Sequence, residues 1–104
     1  MGIEATAQLR KDYKNHPEIQ FIYITDERSS PRKTYDEYVA KNLEGEVSYR
    51  IGENEFEYLR ELFKFNGIPH YELIQKDGSV TINPPTAWEL EEYVQKHFKK
   101  SEEL

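Results

Sequence analysis

A tight turn between two short stretches of extended character most constrains the fold of this chain. Asp77 and Gly78 form the residue pair most typical of a two-residue β-hairpin, because both central positions of that turn need a positive φ. A proline-led stretch, residues 70–75, precedes the turn, and residues 79–82 follow it. The sequence therefore predicts an antiparallel pair of strands in the second half of the chain.

Helical and extended patterns alternate along the whole chain. Apolar spacing and helix-ending residues predict helices over 3–15, 31–43, 54–66 and 86–100, and strands over 19–25 and 46–51. The resulting order, α-β-α-β-α-β-β-α, is typical of a mostly parallel sheet with helices on both faces. We therefore expect one α/β domain over residues 1–104, in which only the tail 101–104 frays.

Two kinds of local signal refine these elements. The continuous apolar run at 21–24 predicts an interior parallel strand that is buried on both faces. Ser30 is expected to cap the second helix, and Asn54 with Glu57 has the spacing of a capping box for the third. Thr86 and Glu89 have the same spacing at the start of the last helix.

Composition excludes several classes of function. The chain has no cysteine, so it can form no disulfide, thiolate metal site or thiol nucleophile. Its 20 acidic and 14 basic residues give a net charge of −6, which disfavours binding to a phosphate backbone. No apolar stretch reaches membrane-spanning length. No glycine-rich phosphate loop follows a predicted strand, and we expect neither a cofactor nor a metal site.

The segment 63–80, with its helix end, Gly-Ile-Pro turn, strand and Lys-Asp-Gly hairpin, resembles the thioredoxin superfamily. The spacing back to the strand at 21–24 is similar to that of the TlpA-like branch, the membrane-anchored or periplasmic thiol–disulfide oxidoreductases. The resemblance implies a thioredoxin-like three-layer α/β/α sandwich, truncated at the N-terminus. It further implies a mixed sheet of about four strands with a C-terminal β-hairpin and helix.

That resemblance also implies a function and a site. The family acts through a Cys-x-x-Cys turn, whose place falls at or before Met1, so this chain is expected to be a redox-inert, truncated or mis-started form without catalytic residues. Pro69 would be the family's cis-proline, and Ile68 and Pro69 would contact an extended substrate peptide. A bacterial periplasm or cell-envelope location is implied only by the resemblance, and the residues themselves leave the location open.

Two other hypotheses remain open. The family's central strand is missing, which should leave apolar surface for a non-catalytic peptide-binding or assembly module, with a partner protein or a homodimer formed through an exposed strand edge. A polar cluster of Asp26, His70 and Glu72, with Glu27 beside Asp26, has the residue types of an acid–base or metal enzyme. We favour for His70 and Glu72 a polar pair on a half-covered strand.

Overall fold

The computed structural model describes residues 5–65, 70–80 and 84–104. Contacts divide the chain into two units. The first, here called the strand unit, is Gln20–Asn66, and the second, the terminal unit, combines Met1–Ile19 with Gly67–Leu104.

The strand unit has the order β1 (Ile22–Asp26), α2 (Arg32–Asn42), β2 (Val47–Ile51) and α3 (Glu53–Phe63). The two strands are parallel and adjacent, with Ile22 level with Val47 and Asp26 level with Ile51. Parallel neighbours require a crossover connection, and α2 provides it. The strand unit is therefore a β-α-β motif that is followed by one further helix.

One face of this sheet is covered by α2 and by the loop that precedes it. The Tyr35 hydroxyl of α2 donates to Ser48 Oγ at 3.0 Å, and Arg50 Nε donates to the Ser30 carbonyl at 2.7 Å. Ser48 and Arg50 are level with Tyr23 and Thr25, so these four side chains share the face that we call the covered face.

Packing in the strand unit also involves the ends of its helices. Leu43, directly after α2, is buried, and Gly45 takes a φ of +83° in the turn to β2, which glycine adopts without steric cost. Helix α3 contacts β1. Its Phe56 ring meets Phe65 edge to face with 5.8 Å between ring centroids, an arrangement that aromatic pairs favour.

The terminal unit contains α1 (Ala7–Asp12), α4 (Ala87–His97) and a short 3-10 turn (Ser101–Glu103). Helix α4 begins with the predicted capping box: Glu89 N donates to Thr86 Oγ1, and Thr86 N donates to Glu89 Oε1, each at 3.1 Å. These two bonds satisfy backbone N–H groups that the first helical turn leaves without partners. The prediction for this helix start is confirmed.

Aromatic side chains join the end of α1 to the segment after α4. The Tyr13 hydroxyl donates to the Phe98 carbonyl at 2.9 Å. Glu18 N donates to His16 Nδ1, so the proton of the neutral ring is on Nε2, which donates to the Lys99 carbonyl at 3.0 Å. Tyr13 and His16 are both buried, and they hold the two ends of this unit together.

The chain turns at the predicted place, but the turn is not the expected two-residue one with Asp77 and Gly78 at its centre. Gln75 N donates to the Ser79 carbonyl at 2.8 Å, so the three residues from Lys76 to Gly78 form the loop, and Asp77 lacks the positive φ that the two-residue turn needs. Gly78 has a φ of +91°, and Gly78 N donates to the Gln75 carbonyl at 2.8 Å. Among the described residues beyond the turn, which stop at Val80, the antiparallel pairing consists of one isolated bridge between Ile74 and Val80. A two-stranded hairpin without a further strand beside it is marginal, so the turn alone does not propagate a ladder.

The fold expected from the resemblance is therefore wrong. The described residues contain four helices and one two-stranded parallel sheet, rather than a mixed sheet of about four strands in a thioredoxin-like three-layer sandwich. The physical reason lies in the strand predicted over 70–75, of which only Ile74 forms a bridge. Without that strand, the sheet has no antiparallel member in the part of the chain that the structure describes.

Three further predictions are corrected by the structure. The strand at 21–24 is not buried on both faces, because Ile22 and Ile24 are exposed. Helix α2 begins after Pro31 without a side-chain cap from Ser30, and α3 begins after Gly52 rather than at Asn54. Both observed caps lie within two residues of the expected ones, which is the range over which helix ends fray. Gly67, which was predicted to end the third helix, lies outside the described residues.

Candidate functional site

The open face of the strand unit carries exposed apolar side chains from both strands. Ile22, Ile24 and Tyr49 lie on the side opposite the covered face, and they are 53%, 46% and 54% exposed. Parallel sheets normally have both faces covered, because their crossover connections place helices there. We call these three side chains, together with the half-buried Val47 level with Ile22, the apolar sheet face.

Burial increases toward the carboxyl end of β1. Asp26 is buried, its backbone carbonyl accepts from Ser30 N at 3.2 Å, and its carboxylate lies 3.4 Å from Ser29 N. The carboxylate thus helps to form the turn between β1 and α2, as aspartate often does. Asp26 is therefore a turn-forming residue at the carboxyl end of β1. The exposed apolar surface lies toward the amino end of that strand.

The charges near this end of the sheet are mainly negative. Arg28 Nε pairs with Glu53 Oε1 at 2.8 Å, which offsets one carboxylate. Glu27 is exposed and forms no ion pair within the described ranges.

His70 and Glu72 form a second candidate site, in the terminal unit. His70 Nε2 contacts Glu72 Oε2, and the two side chains are 17% and 13% exposed. The contact follows from their spacing, because alternate residues of an extended segment point to the same side. An imidazole beside a carboxylate has the composition of a proton-transfer pair, but a reaction needs a third group that binds or polarises a substrate.

The structure does not assemble the predicted polar cluster as one set. His70 and Glu72 are together in the terminal unit, whereas Asp26 belongs to the strand unit and takes part in its own turn. Ile68 and Pro69, the predicted peptide-contacting residues, lie outside the described residues. The prediction of a cis-proline at position 69 consequently remains a prediction.

Two searches for other kinds of site are limited to the residues described. Among residues 5–65, 70–80 and 84–104, no three His, Asp or Glu side chains come together in a way that could hold a metal ion. Over the same ranges, every helix is too short or too polar to cross a lipid bilayer.

Sequence reasoning missed the apolar sheet face because it treated the run 21–24 as interior. A strand that is covered on both faces and a strand that is covered on one face can carry the same run of Phe, Ile and Tyr. The one available signal was the small number of strands, since a sheet needs helices on both sides to bury such a run.

We compared the chain with known protein families, sequences and structures. No protein-family model, no curated protein sequence and no solved structure matches the chain.

Proposed function

We propose that this chain is a non-catalytic binding or assembly module that makes its contact through the apolar sheet face. The observation that carries the proposal is the exposure of Ile22, Ile24 and Tyr49 on one face of a parallel sheet. A contiguous exposed apolar patch of this kind is typical of protein interaction sites.

The size of the patch supports an interaction with another polypeptide. With full accessible areas of roughly 180 Å² for isoleucine and 230 Å² for tyrosine, the exposed fractions correspond to about 300 Å². At about 25 cal/mol per Å², covering that area contributes roughly 7 kcal/mol before the costs of association. Leaving it in water has no compensating benefit for folding, so a role in binding accounts for its presence.

Catalysis by thiol–disulfide exchange is excluded by composition, because the chain contains no cysteine. A relationship to the thiol–disulfide oxidoreductases stays a prediction, and it has no bearing on the surface proposed here. The pair of His70 and Glu72 supports a local structural contact, and we do not propose an acid–base reaction for it.

The test compares wild type with Ile24→Lys, which places a charge on the apolar sheet face. Tyr58→Lys is the matched control, since Tyr58 is also an exposed apolar side chain but lies on α3. Far-UV circular dichroism establishes that each variant is folded. Binding of an apolar fluorescent dye and sedimentation velocity at several protein concentrations then report on the surface.

We expect folded wild type either to bind the dye as a monomer or to self-associate with rising concentration. Ile24→Lys should lose most of that dye binding or association, whereas Tyr58→Lys should retain it. A wild type that stays monomeric at every concentration and binds no dye would contradict the proposal, because its apolar surface would then be covered within the chain.

A further inference from the structure

The backbone of β1 has an outer edge whose hydrogen-bonding groups can be assigned. Glu27 N donates to the Ile51 carbonyl at 3.0 Å, so the backbone of Glu27 points toward β2. Successive residues of a strand point their N–H and C=O groups alternately to either side. By this alternation Tyr23 and Thr25 also face β2, and Ile22 and Ile24 direct their backbone groups to the opposite edge.

In the described part of the chain the sheet consists of β1 and β2 alone, so no third strand borders the outer edge of β1. The residues whose backbone groups point to that edge, Ile22 and Ile24, are also those whose side chains are exposed on the apolar sheet face. A strand laid along this edge would therefore gain main-chain hydrogen bonds and apolar side-chain contacts at the same two residues.

The size of the patch distinguishes between a second copy and a peptide. A stable interface between two folded proteins buries about 800 Å² on each partner, whereas the apolar sheet face offers about 300 Å². Face-to-face packing of two copies falls well short of that area. A strand of about five residues needs only the length of β1, because backbone hydrogen bonds supply part of the affinity.

Charge also disfavours a second copy. Each chain carries a net charge of −6, so two copies repel each other. A peptide that carries lysine or arginine beside its apolar residues is attracted by the same net negative charge, which favours association.

From these observations we infer that the outer edge of β1 binds an extended peptide by strand addition. The peptide has apolar side chains at alternate positions, which lie against Ile22, Ile24 and Tyr49, and it has basic flanking residues. This inference rests on the proposed function, because it names the partner of the same surface.

The experiment uses the full chain and a fluorescein-labelled peptide of nine residues, in which valine alternates with threonine and lysine stands at each end. Two matched peptides serve as controls. One has the same side chains with N-methylated backbone amides, which removes the donors that strand addition uses, and the other has glutamate in place of lysine. Fluorescence anisotropy measures binding, and amide hydrogen exchange by NMR locates it.

We expect the lysine-flanked peptide to bind and to slow amide exchange at Ile22 and Ile24. Ile24→Lys should raise the Kd at least about fivefold, and Tyr58→Lys should leave it within about twofold. N-methylation should raise the Kd at least about tenfold, because main-chain hydrogen bonds are lost. The glutamate-flanked peptide should bind more weakly, by a margin that shrinks as salt is added.

Each other outcome overturns the inference in a recognisable way. If no peptide binds, but the dye still binds to the face in an Ile24-dependent manner, strand addition is wrong and the proposed function stands. If exchange at Ile22 and Ile24 slows with protein concentration rather than with peptide, the occupant is a second copy. Binding that is unaffected by N-methylation shows a side-chain contact without strand addition.

Discussion

Replacing Tyr13 by phenylalanine tests how much one buried hydrogen bond stabilises the terminal unit, because the substitution removes only the hydroxyl oxygen. The side chain is 1% exposed, and its hydroxyl donates to the Phe98 carbonyl at 2.9 Å. Phenylalanine keeps the ring in place, so the change removes a hydrogen bond and leaves a poorly solvated acceptor. Such a loss costs about 1.5 kcal/mol of unfolding free energy.

Urea unfolding followed by circular dichroism measures this difference, and a thermal scan provides a second value. For a domain of this size, about 1.5 kcal/mol lowers the Tm by roughly 6–12 °C. Tyr58→Phe is the control, because Tyr58 is exposed on α3, and we expect it to change stability by less than about 0.5 kcal/mol. Equal midpoints for Tyr13→Phe and wild type would refute the proposed role of this hydrogen bond.

The difference in stability between wild type and Tyr13→Phe should depend on pH. Burial raises the pKa of Tyr13 above the ordinary value of 10.0, although the charge of Lys100 partly lowers it. The unfolded chain therefore releases this proton at a lower pH than the folded chain does. The stability from Tyr13 is complete below about pH 10 and is lost as the pH rises through the raised folded pKa. A difference between wild type and Tyr13→Phe that stays constant up to about pH 11 would contradict this account.

Three further substitutions test local features. Thr86→Ala removes the capping box of α4 and should cost about 1 kcal/mol in urea unfolding. Thr34→Ala, at an exposed position in the first turn of α2 that does not cap the helix, should cost nothing measurable. Gly45→Ala places a side chain where φ is +83° and should cost about 1 kcal/mol by the same assay, with Glu44→Ala as its neutral neighbour. Ser79→Ala removes the side-chain hydrogen bond that, with a second bond from Ser79 N, lowers the pKa of Asp77. An NMR titration should then show the pKa of Asp77 rising toward 3.8, and an unchanged value would exclude the Ser79 hydroxyl as a cause.

Local chemistry explains which parts of the fold were predictable from the sequence. The capping box at Thr86 was predicted correctly, and so was the position of the turn at Gly78 though not its two-residue form, because each depends on residues within four positions of one another. The existence of α2, β2 and α3 also followed from apolar spacing and from flanking glycines. These features require no knowledge of what lies beside them in space.

The errors concern features that depend on distant neighbours. Whether Ile22 and Ile24 are covered depends on the number of layers around β1, and the run of apolar residues is the same in either case. The strand predicted over 70–75 needed a neighbouring strand that the sequence does not specify. Likewise, the acceptor of the His16 Nε2 proton is the carbonyl of Lys99, which is 83 positions away.

The site was predictable to a smaller extent than the fold. Extended spacing correctly puts His70 and Glu72 on one side of the chain, but a pair of residues does not define a reaction. The apolar sheet face is exposed because, in the described chain, no other element packs over Ile22, Ile24 and Tyr49. Local sequence patterns do not predict that kind of exposure. Composition contributed the firmest functional statement, since a chain without cysteine cannot exchange thiols.

Residue-resolved amide exchange of the free protein tests the central claim most directly, because it reports whether the outer edge of β1 is open. We expect the amides of Tyr23 and Thr25, which face β2, to exchange slowly, and those of Ile22 and Ile24 to exchange quickly. This alternation should persist in dilute, monomeric protein. Uniformly slow exchange at all four amides in the monomer would contradict the account, since the edge would then already have a neighbouring strand within the same chain.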